Sequence, residues 1–279
     1  MNLVNVLKKE KTNKIPVWIM RQAGRYLPEF RKLKRKSKGF MNMVYTPKIA
    51  SDITLQPIKR FNFDAAIIFS DILIVPDVLG QKLTYQEGRG PRLEKMSIDQ
   101  MLKDLSFKNK RKLDLVYKAI KITKKKLSNQ ISLIGFVGAP LTILFFMLDS
   151  EREKKYFKIL SYLKKNKKKT SKIFKLLENA IAEHAIGQIK AGAEIIQIFD
   201  TWANIAKGQD LEKYSINSIK RICDQIKKKK PKAKIIVFPK DVSPNYSKYL
   251  HKNVDCISVG QDIKLSEIKK IQKKKTIQG

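Results

Sequence analysis

Cysteine and histidine are scarce in this sequence, which has two of each among 279 residues. Cys223 and Cys256 lie far apart in apolar contexts, so we expect reduced core residues rather than a disulfide pair. No run of 18 apolar residues occurs, and the interrupted N-terminus does not resemble a signal peptide. These absences argue against a disulfide-stabilised secreted domain and against a membrane-spanning helix, and they predict a soluble, cytoplasmic protein.

Acidic residues are also few, because 25 Asp and Glu stand against 60 Lys and Arg, for a formal charge of +35. Such an excess raises nucleic acid or an anionic membrane as a partner. Here the excess is nearly all lysine, in runs between apolar segments, whereas nucleic-acid-binding surfaces more often group arginines with aromatic residues. We therefore expect a solvated, lysine-rich exterior with no specific nucleic-acid or membrane partner. A polyanion-binding surface is the less favoured alternative.

What the sequence does contain is a series of short apolar runs rich in Ile, Val and Phe. Each run is nearly continuous, which is the pattern of strands that are covered on both faces and are therefore parallel. Segments with helical periodicity lie between the runs. The seven predicted strands are residues 15–20, 65–70, 132–138, 194–200, 234–239, 254–260 and 275–279.

The clearest predicted helix covers residues 170–191, and Gly192 is placed to end it. Its two faces differ in polarity, as expected of a helix that covers a sheet. The predicted apolar face comprises Ile173, Leu177, Ala180, Ile181 and His184, and the opposite face comprises Lys172, Lys175, Glu178 and Glu183.

Unusual residues follow four of the predicted strands: Arg21, Asp71, the GAP segment (138–140) and Thr201 with Trp202. In a β/α-barrel the carboxyl ends of different strands converge on one mouth. A doubly wound sheet would concentrate such residues at one switch point, and its G-x-G-x-x-G turn is missing. We therefore predict an α/β fold with one domain over residues 1–279. The predicted architecture is a (β/α)8 TIM-type barrel that is incomplete, because only seven strands can be counted.

Two arginines bracket a glycine in residues 16–30, PVWIMRQAGRYLPEF. Arg21 and Arg25 are spaced so that both guanidinium groups can face the same way, and each can bind a carboxylate with two hydrogen bonds. Gly24 lets the backbone approach a ligand, and Pro28 limits the continuation of the segment as regular helix. The alternative is a structural pair of arginines that bind acidic side chains such as Glu29.

The whole string PVWIMRQAGRYLPEFR (16–31) resembles the N-terminal signature of the uroporphyrinogen decarboxylase family. These cofactor-free enzymes of the haem pathway remove four acetate carboxyl groups from a tetrapyrrole, uroporphyrinogen. The resemblance covers essentially the whole chain. It continues through FDAAIIFSDILIVPDVLG (63–80), GRGPRLE (88–94), GFVGAPLTILFFM (135–147), AGAEIIQIFDTWA (191–203), IIVFPKD (235–241) and TIQG (276–279).

The resemblance implies roles for particular residues, a homodimer with facing clefts, and no cofactor or metal. It implies that Asp71 is the central aspartate, whose carboxylate faces the pyrrole N–H groups and stabilises positive charge on the ring. Arg21 lies near the leaving carboxylate in this family, and a hydroxyl at the position of Thr201 contacts a substrate carboxylate. Ile67, Phe30 and Phe40 are candidate apolar walls. The implied substrate-binding positions are Arg21, Gln22, Ala23, Gly24, Arg25, Asp71, Phe146 and Thr201.

The chain departs from the family pattern in three places. Phe146 stands where the family has a tyrosine, and DSERE (149–153) replaces a glycine-rich continuation. The family also continues beyond TIQG to an eighth strand that ends in a glycine-flanked histidine. Neither His184 nor His251 has that context, so the resemblance implies a C-terminally truncated member.

Two further alternatives remain open at this point. The chain is either an active decarboxylase or an inactive, truncated or pseudoenzyme copy. Related barrel methyltransferases that act with corrinoid partners bind zinc, and Cys223 and Cys256, without a paired His nearby, do not meet that requirement.

Overall fold

The computed structural model describes residues 3–86, 90–107, 110–148 and 156–279. Its centre is a curled sheet of six parallel strands in the order β1-β4-β5-β6-β7-β8, and β2 and β3 form a separate antiparallel hairpin. The strands are β1 (Ala65–Ile67), β2 (Leu83–Gln86), β3 (Gly90–Leu93), β4 (Ser132–Gly138), β5 (Ile195–Asp200), β6 (Lys234–Pro239), β7 (Cys256–Ser258) and β8 (Thr276–Gln278).

Helices connect the parallel strands, so neighbours in the sheet run in the same direction and the predicted α/β class is confirmed. The α-helices are α1 (Leu3–Leu7), α2 (Pro28–Lys36), α3 (Phe40–Val44), α4 (Pro47–Phe61), α5 (Ile74–Leu79), α6 (Ile98–Asp104), α7 (Lys110–Lys126), α8 (Pro140–Leu148), α9 (Tyr156–Lys165), α10 (Lys167–Ala191), α11 (Gly208–Asp210), α12 (Asn217–Lys229) and α13 (Leu265–Gln272). Shorter turns are a π-helix at Leu211–Ile216 and 3₁₀ helices at Ala203–Ile205 and Tyr246–Tyr249. None of the helices in the described ranges is long and apolar enough to cross a membrane.

The predicted first strand, residues 15–20, is wrong, since this extended segment joins no ladder of the sheet. Its backbone forms hydrogen bonds beside the start of β1 through a single residue pair. The amide of Val17 donates to Asp64 Oδ2 (2.8 Å), and the Val17 carbonyl accepts from the Asp64 amide (2.9 Å). Ile15, Val17 and Ile19 are 86%, 59% and 52% exposed. The apolar pattern of this segment therefore does not come from burial on both faces of a sheet.

Side chains of the N-terminal segment bond to the two end strands of the sheet. The Gln22 amide donates to the carbonyl of Ala65 (2.6 Å) and accepts from the amide of Ile67 (3.2 Å), so it occupies the backbone groups of β1 that a neighbouring strand would bond. The Trp18 indole donates to Gln278 Oε1 on β8 (3.0 Å). Residues 18–22 thus span from one end strand of the sheet to the other.

Helix α1 fills the barrel from the end opposite the strand carboxyl ends. Leu3 and Leu7 are buried against inward-facing residues at the beginnings of the strands. These strand residues are Ala65, Ile134, Ile195, Ile236 and Cys256, one from each of β1, β4, β5, β6 and β7. The interior is consequently a packed core, and open space is left at the carboxyl ends of the strands.

Helix α10 confirms the predicted helix, and Gly192 ends it in a left-handed conformation with φ of 118°. The five residues of the predicted apolar face are buried. Glu178, however, was predicted on the solvent face and is buried. Its carboxylate accepts hydrogen bonds from the Ser218 hydroxyl (2.6 Å) and from the Arg221 guanidinium (2.6 and 2.9 Å) on α12, which satisfy the charge.

Replacing Gln22 by leucine is expected to destabilise the fold, because the Ala65 carbonyl and the Ile67 amide would lose their partner. Each unsatisfied buried group costs about 1–3 kcal/mol. Urea unfolding should show a lower free energy of unfolding for Gln22→Leu. Gln272→Leu, an exposed change at the end of α13, is the matched control and should leave the midpoint nearly unchanged. Equal midpoints for the two variants would contradict the structural role of Gln22.

Candidate active site

A cavity of about 690 Å³ opens at the carboxyl ends of β1, β4, β5 and β6. Two smaller cavities, of about 440 and 560 Å³, are lined by residues of the outer helices and their adjoining turns. The large cavity, hereafter the cleft, is lined by Met20, Arg21, Gln22, Ala23, Phe40, Ile67, Ile68, Phe69, Ser70, Asp71, Ile72, Tyr85, Pro91, Phe136, Phe199, Thr201, Phe238 and Lys240. The structure therefore brings Arg21, Asp71 and Thr201 to one cleft, as the barrel argument predicted.

Arg21 reaches the cleft because the extended segment before it lies across the open side of the sheet. The adjacent Met20 contacts β5 through its sulfur, which lies 3.7 Å from Gln197 Nε2. The Arg21 side chain is exposed, and within the described ranges it forms no ion pair with a carboxylate. A guanidinium with free donors at a cleft is suited to bind an anionic ligand.

The other residues of the arginine-containing segment divide into two groups. Gln22 and Ala23 line the cleft, but the Gln22 amide is already engaged by β1. Gly24 and Arg25 do not line it. Residues 20–27 form turns and bends rather than a helix, so a spacing of four does not place Arg21 and Arg25 on one face.

The structure does not show the predicted alternative, in which these arginines bind Glu29. The Glu29 carboxylate instead accepts two hydrogen bonds from the Arg60 guanidinium, at 3.0 and 3.1 Å. Arg25 is exposed, and its carbonyl accepts from Arg31 Nη1 (2.9 Å). A contact between Arg25 and a ligand therefore stays a prediction.

Asp71 lies just beyond β1 and faces the cleft. Its Oδ1 accepts a hydrogen bond from the Leu73 amide (2.8 Å), which is the local turn contact typical of aspartate before a helix. Burial raises the pKa of the Asp71 carboxyl to about 6, and the Leu73 amide opposes that rise. No cation of the described ranges pairs with Asp71, and Oδ2 has no protein donor there. The carboxylate can therefore accept further hydrogen bonds from a ligand.

Three phenylalanines, not predicted from the sequence as site residues, form an aromatic wall of the cleft. Phe136, Phe199 and Phe238 lie on β4, β5 and β6, with successive ring centroids 5.7 and 6.1 Å apart in edge-to-face contact. Each is a partly exposed residue in an otherwise buried stretch of strand. The sequence signal was a phenylalanine close to the carboxyl end of three consecutive predicted strands.

The candidate apolar walls Ile67 and Phe40 do line the cleft, and Phe40 stacks on Tyr85 of the hairpin with centroids 4.8 Å apart. Phe30 does not line it, because its side chain is buried in the core against Phe69. Lys240, which follows β6 and was not predicted as a site residue, is a second cation of the cleft. The cleft thus combines aromatic side chains, two cations and one carboxylate.

Phe146 lies on α8, outside the cleft lining. Its ring is near the Trp202 ring, with centroids 6.4 Å apart. The predicted departure at residues 149–153 lies outside the described residues. Phe146 therefore does not touch the candidate site directly, and its link to the site is its contact with Trp202, which follows β5.

The cysteines and histidines lie away from the cleft, and burial raises the pKa of both thiols. His184 is buried on α10, where burial lowers its pKa to about 3, and His251 Nε2 lies 2.6 Å from Asp224 Oδ1. Within the described ranges no group of three or more His, Cys, Asp or Glu side chains is arranged to hold a metal ion.

The strand order and the position of the cleft define a parallel β/α-barrel protein whose candidate site lies at the carboxyl ends of its strands. The family described as uroporphyrinogen decarboxylase (URO-D) matches residues 1–279. The chain belongs to this family, which confirms the resemblance stated from the motifs.

Curated relatives of this chain carry the name of the family. "Uroporphyrinogen decarboxylase" of Rickettsia conorii is 37% identical over 278 residues, which are 99% of this chain and 80% of the relative. That of Rickettsia bellii is 38% identical over 280 residues, covering 100% of this chain and 82% of the relative. Among solved structures, a methyltransferase from Methanosarcina mazei aligns with a TM-score of 0.77 at 16% identity, covering 99% of this chain and 81% of the methyltransferase. At that identity the alignment supports the barrel-like fold alone.

Replacing Asp71 by asparagine is expected to stabilise the fold at neutral pH. A carboxyl whose pKa is higher in the folded than in the unfolded chain destabilises the fold when it is ionised. This penalty is absent below about pH 4, grows as the pH rises from about 4 to about 6, and is fully present above about pH 6. A rise of about two pKa units corresponds to at most about 3 kcal/mol, and access to cleft water reduces it.

Thermal unfolding at pH 4 and pH 7.5 tests this expectation. Asp71→Asn should melt at a higher temperature than wild type at pH 7.5, and the difference should shrink at pH 4. The exposed Asp114→Asn on α7 is the control, for which little change is expected at either pH. A lower melting temperature for Asp71→Asn at pH 7.5 would show that the carboxylate is stabilising, contrary to the burial argument.

Proposed function

We propose that this protein is a carboxy-lyase that removes the four acetate carboxyl groups of uroporphyrinogen III, without a cofactor, to give coproporphyrinogen III in haem and porphyrin biosynthesis. The family membership and the names of the curated relatives support this proposal. The structural observation that carries it is the half-buried Asp71 carboxylate, which faces the cleft without a cation and has one oxygen free for ligand donors.

Decarboxylation of an acetate arm needs a group that accepts the electron pair of the breaking C–C bond. A pyrrole ring protonated at carbon accepts this pair as CO₂ leaves. Protonation of the side-chain carbon and loss of the ring proton then give the methyl group. Positive charge develops on the ring in the first step, and its N–H groups become stronger donors. A fixed carboxylate that accepts these hydrogen bonds stabilises that charge.

The surroundings of Asp71 suit this role. The walls formed by Phe136, Phe199 and Phe238 limit water, and electrostatic attraction is stronger in such a site than in bulk solvent. A pKa of about 6 leaves the carboxyl mainly ionised at neutral pH. Ligand N–H donors would lower the pKa further, because they stabilise the charged form.

Arg21 and Thr201 are proposed to bind carboxylate arms of the substrate. Arg21 lines the same cleft as Asp71, and its guanidinium can bind a carboxylate with two parallel hydrogen bonds. The Thr201 hydroxyl can donate a further hydrogen bond to another arm. The cleft volume of about 690 Å³ is within the usual range for small-molecule sites. Gly24 and Arg25 are also proposed to contact the substrate. This part of the proposal rests on the family motif, because neither residue lines the cleft.

The remaining expectations complete this proposal. They are a single domain, a homodimer with facing clefts, a cytoplasmic location and a site that needs neither cofactor nor metal. The corrinoid-linked methyltransferase is not favoured, because the decarboxylase family matches the whole chain and the methyltransferase alignment is at 16% identity.

Purified protein supplied with uroporphyrinogen under anaerobic, reducing conditions is expected to form decarboxylated porphyrinogens. Asp71→Asn should reduce the rate by at least about 100-fold, because a neutral amide no longer compensates the charge on the ring. Arg21→Lys should also be strongly impaired, because an ammonium group does not reproduce the paired hydrogen bonds of a guanidinium. Chromatography of the oxidised products measures both rates.

The matched control for this assay is Arg111→Lys, an arginine exposed on α7 away from the cleft. It should turn over substrate at the wild-type rate. Equal product yields from wild type and Asp71→Asn would show that the assigned carboxylate plays no part in the reaction.

Phe146→Tyr restores the hydroxyl that the family has at this position, and we expect kcat/KM to rise by no more than about tenfold. One neutral hydrogen bond contributes about 0.5–1.5 kcal/mol, which sets this limit. The location of Phe146 outside the cleft lining favours a smaller effect. Steady-state kinetics of the variant beside wild type decides the point, and an increase far above tenfold would mean that this single hydroxyl limits the enzyme.

A further inference from the structure

Asp200, the last residue of β5, is fully buried and pairs with no cation among the described residues. Two hydroxyl groups bond its carboxylate. Thr142 Oγ1 donates to Oδ1 (2.6 Å), and the Ser215 hydroxyl donates to Oδ2. A buried carboxylate is costly unless donors satisfy it, so this arrangement requires both hydroxyl groups to keep their positions.

The hydrogens of this network have defined directions. Thr142 Oγ1 accepts from the Trp202 amide (3.1 Å), so its own hydrogen is directed to Asp200. Ser215 gives its hydrogen to Asp200, and the Tyr249 hydroxyl, 2.6 Å away, can then donate to Ser215 Oγ. Every hydroxyl therefore donates once along a path that ends on the carboxylate.

The network joins four elements around the mouth of the barrel. Asp200 ends β5, Thr142 lies in the first turn of α8, Ser215 lies in the π-helix and Tyr249 ends a 3₁₀ helix. The π-helix is a rare geometry that is often found at functional sites. Asp200 therefore links these elements by side-chain hydrogen bonds, in addition to their packing in the core.

Two residues that line the cleft adjoin Asp200 through the backbone. Thr201 is its neighbour in the chain, and the amide of Lys240 donates to the Asp200 carbonyl (3.1 Å). Both lie beyond β5 and β6, which are two and three strands away from β1, the strand that precedes Asp71. They are therefore placed to bind a part of the ligand other than the ring that faces Asp71.

We propose that Asp200 is a positioning residue of the decarboxylase, whose bonded side chain holds the backbone that carries Thr201 and Lys240 where these residues bind substrate carboxylates distant from the reacting ring. The inference rests on the proposed function. A positioning role for distant arms affects the binding of substrate more than the chemical step, whereas Asp71 and Arg21 affect the chemical step.

The first test is the substitution Asp200→Asn, which preserves size but places an NH₂ group against the Ser215 hydroxyl. We expect KM for uroporphyrinogen to rise about fivefold or more while kcat changes by less than about twofold, as for a contact of equal strength in the ground and transition states. The control is Glu178→Gln, a buried carboxylate far from the cleft lining, which is bonded by a serine and an arginine between α10 and α12. It should lower the melting temperature without changing KM. An unchanged KM in folded Asp200→Asn would overturn the proposal.

A double-mutant cycle separates positioning from general loss of structure. If Asp200 acts through Thr201, Asp200→Asn combined with Thr201→Val should raise KM less than the product of the two single effects. Fully multiplicative effects would contradict an action through Thr201. Should Asp200→Asn fail to fold, Thr142→Val removes one donor and keeps the carboxylate, and the same cycle is run with it.

A binding measurement keeps this proposal distinct from the proposed function. Uroporphyrin, the stable oxidised macrocycle with eight carboxylates, is titrated against the protein and followed by tryptophan fluorescence. Wild type should bind it, and Asp200→Asn should bind it about fivefold or more weakly. Wild type that binds uroporphyrin but decarboxylates no uroporphyrinogen would contradict the proposed function, and the Kd ratio would then decide the role of Asp200. No binding by wild type would overturn both.

Discussion

The candidate site depends on how the open side of the parallel sheet is closed. A curled sheet with two end strands leaves backbone donors and acceptors without partners, and here a side chain occupies them on β1. The Gln22 amide bonds the carbonyl of Ala65 and the amide of Ile67, and Trp18 bonds Gln278 on the far strand. Arg21 lies between these two attachments. Its position at the cleft therefore follows from the closure of the sheet rather than from a helix of its own.

Two carboxylates near one mouth of the barrel, the fully buried Asp200 and the half-buried Asp71, have opposite surroundings. The Asp200 oxygens each receive a hydroxyl hydrogen, and the side chain is fully buried outside the cleft lining, so neither oxygen is directed to a ligand. Asp71 receives one local amide hydrogen and leaves an oxygen free in the cleft. Burial raises the pKa of both groups, and hydroxyl donors oppose the rise at Asp200. The same residue type thus serves structure in one place and, as we propose, chemistry in the other.

Sequence patterns were sufficient to predict six of the strands and helix α10. A strand that is buried on both faces leaves a continuous run of apolar residues, and a helix that is buried on one face leaves apolar residues at helical spacing. They misassigned residues 15–20, whose apolar side chains Ile15, Val17 and Ile19 are exposed and whose contacts to the sheet are made by side chains. Glu178 was likewise placed in solvent, because its partner Arg221 comes from a different helix. Contacts between segments that are distant in the chain leave no periodic pattern in the local sequence.

The cleft was predictable in outline and not in detail. Arg21, Asp71 and Thr201 follow separate predicted strands, so the convergence of strand ends in a barrel brings them together. Arg25 could not be placed, because its position depends on turns that a spacing rule for helices does not describe. Phe136, Phe199 and Phe238 resembled core residues, and only their partial exposure distinguishes them. The sequence did not distinguish Lys240 from the many other lysines. Its position directly after β6 places it at the cleft.

The bond between Trp18 and Gln278 joins residues 260 positions apart. During synthesis on the ribosome, chains grow from the N-terminus at about 5–20 residues per second. Arg21 is therefore made early, but the partner that holds its segment across the barrel leaves the exit tunnel many seconds later. A nascent chain can build strands and helices in order during that interval, yet its N-terminal segment can be bonded only on the side of β1, so the ligand cleft is not complete.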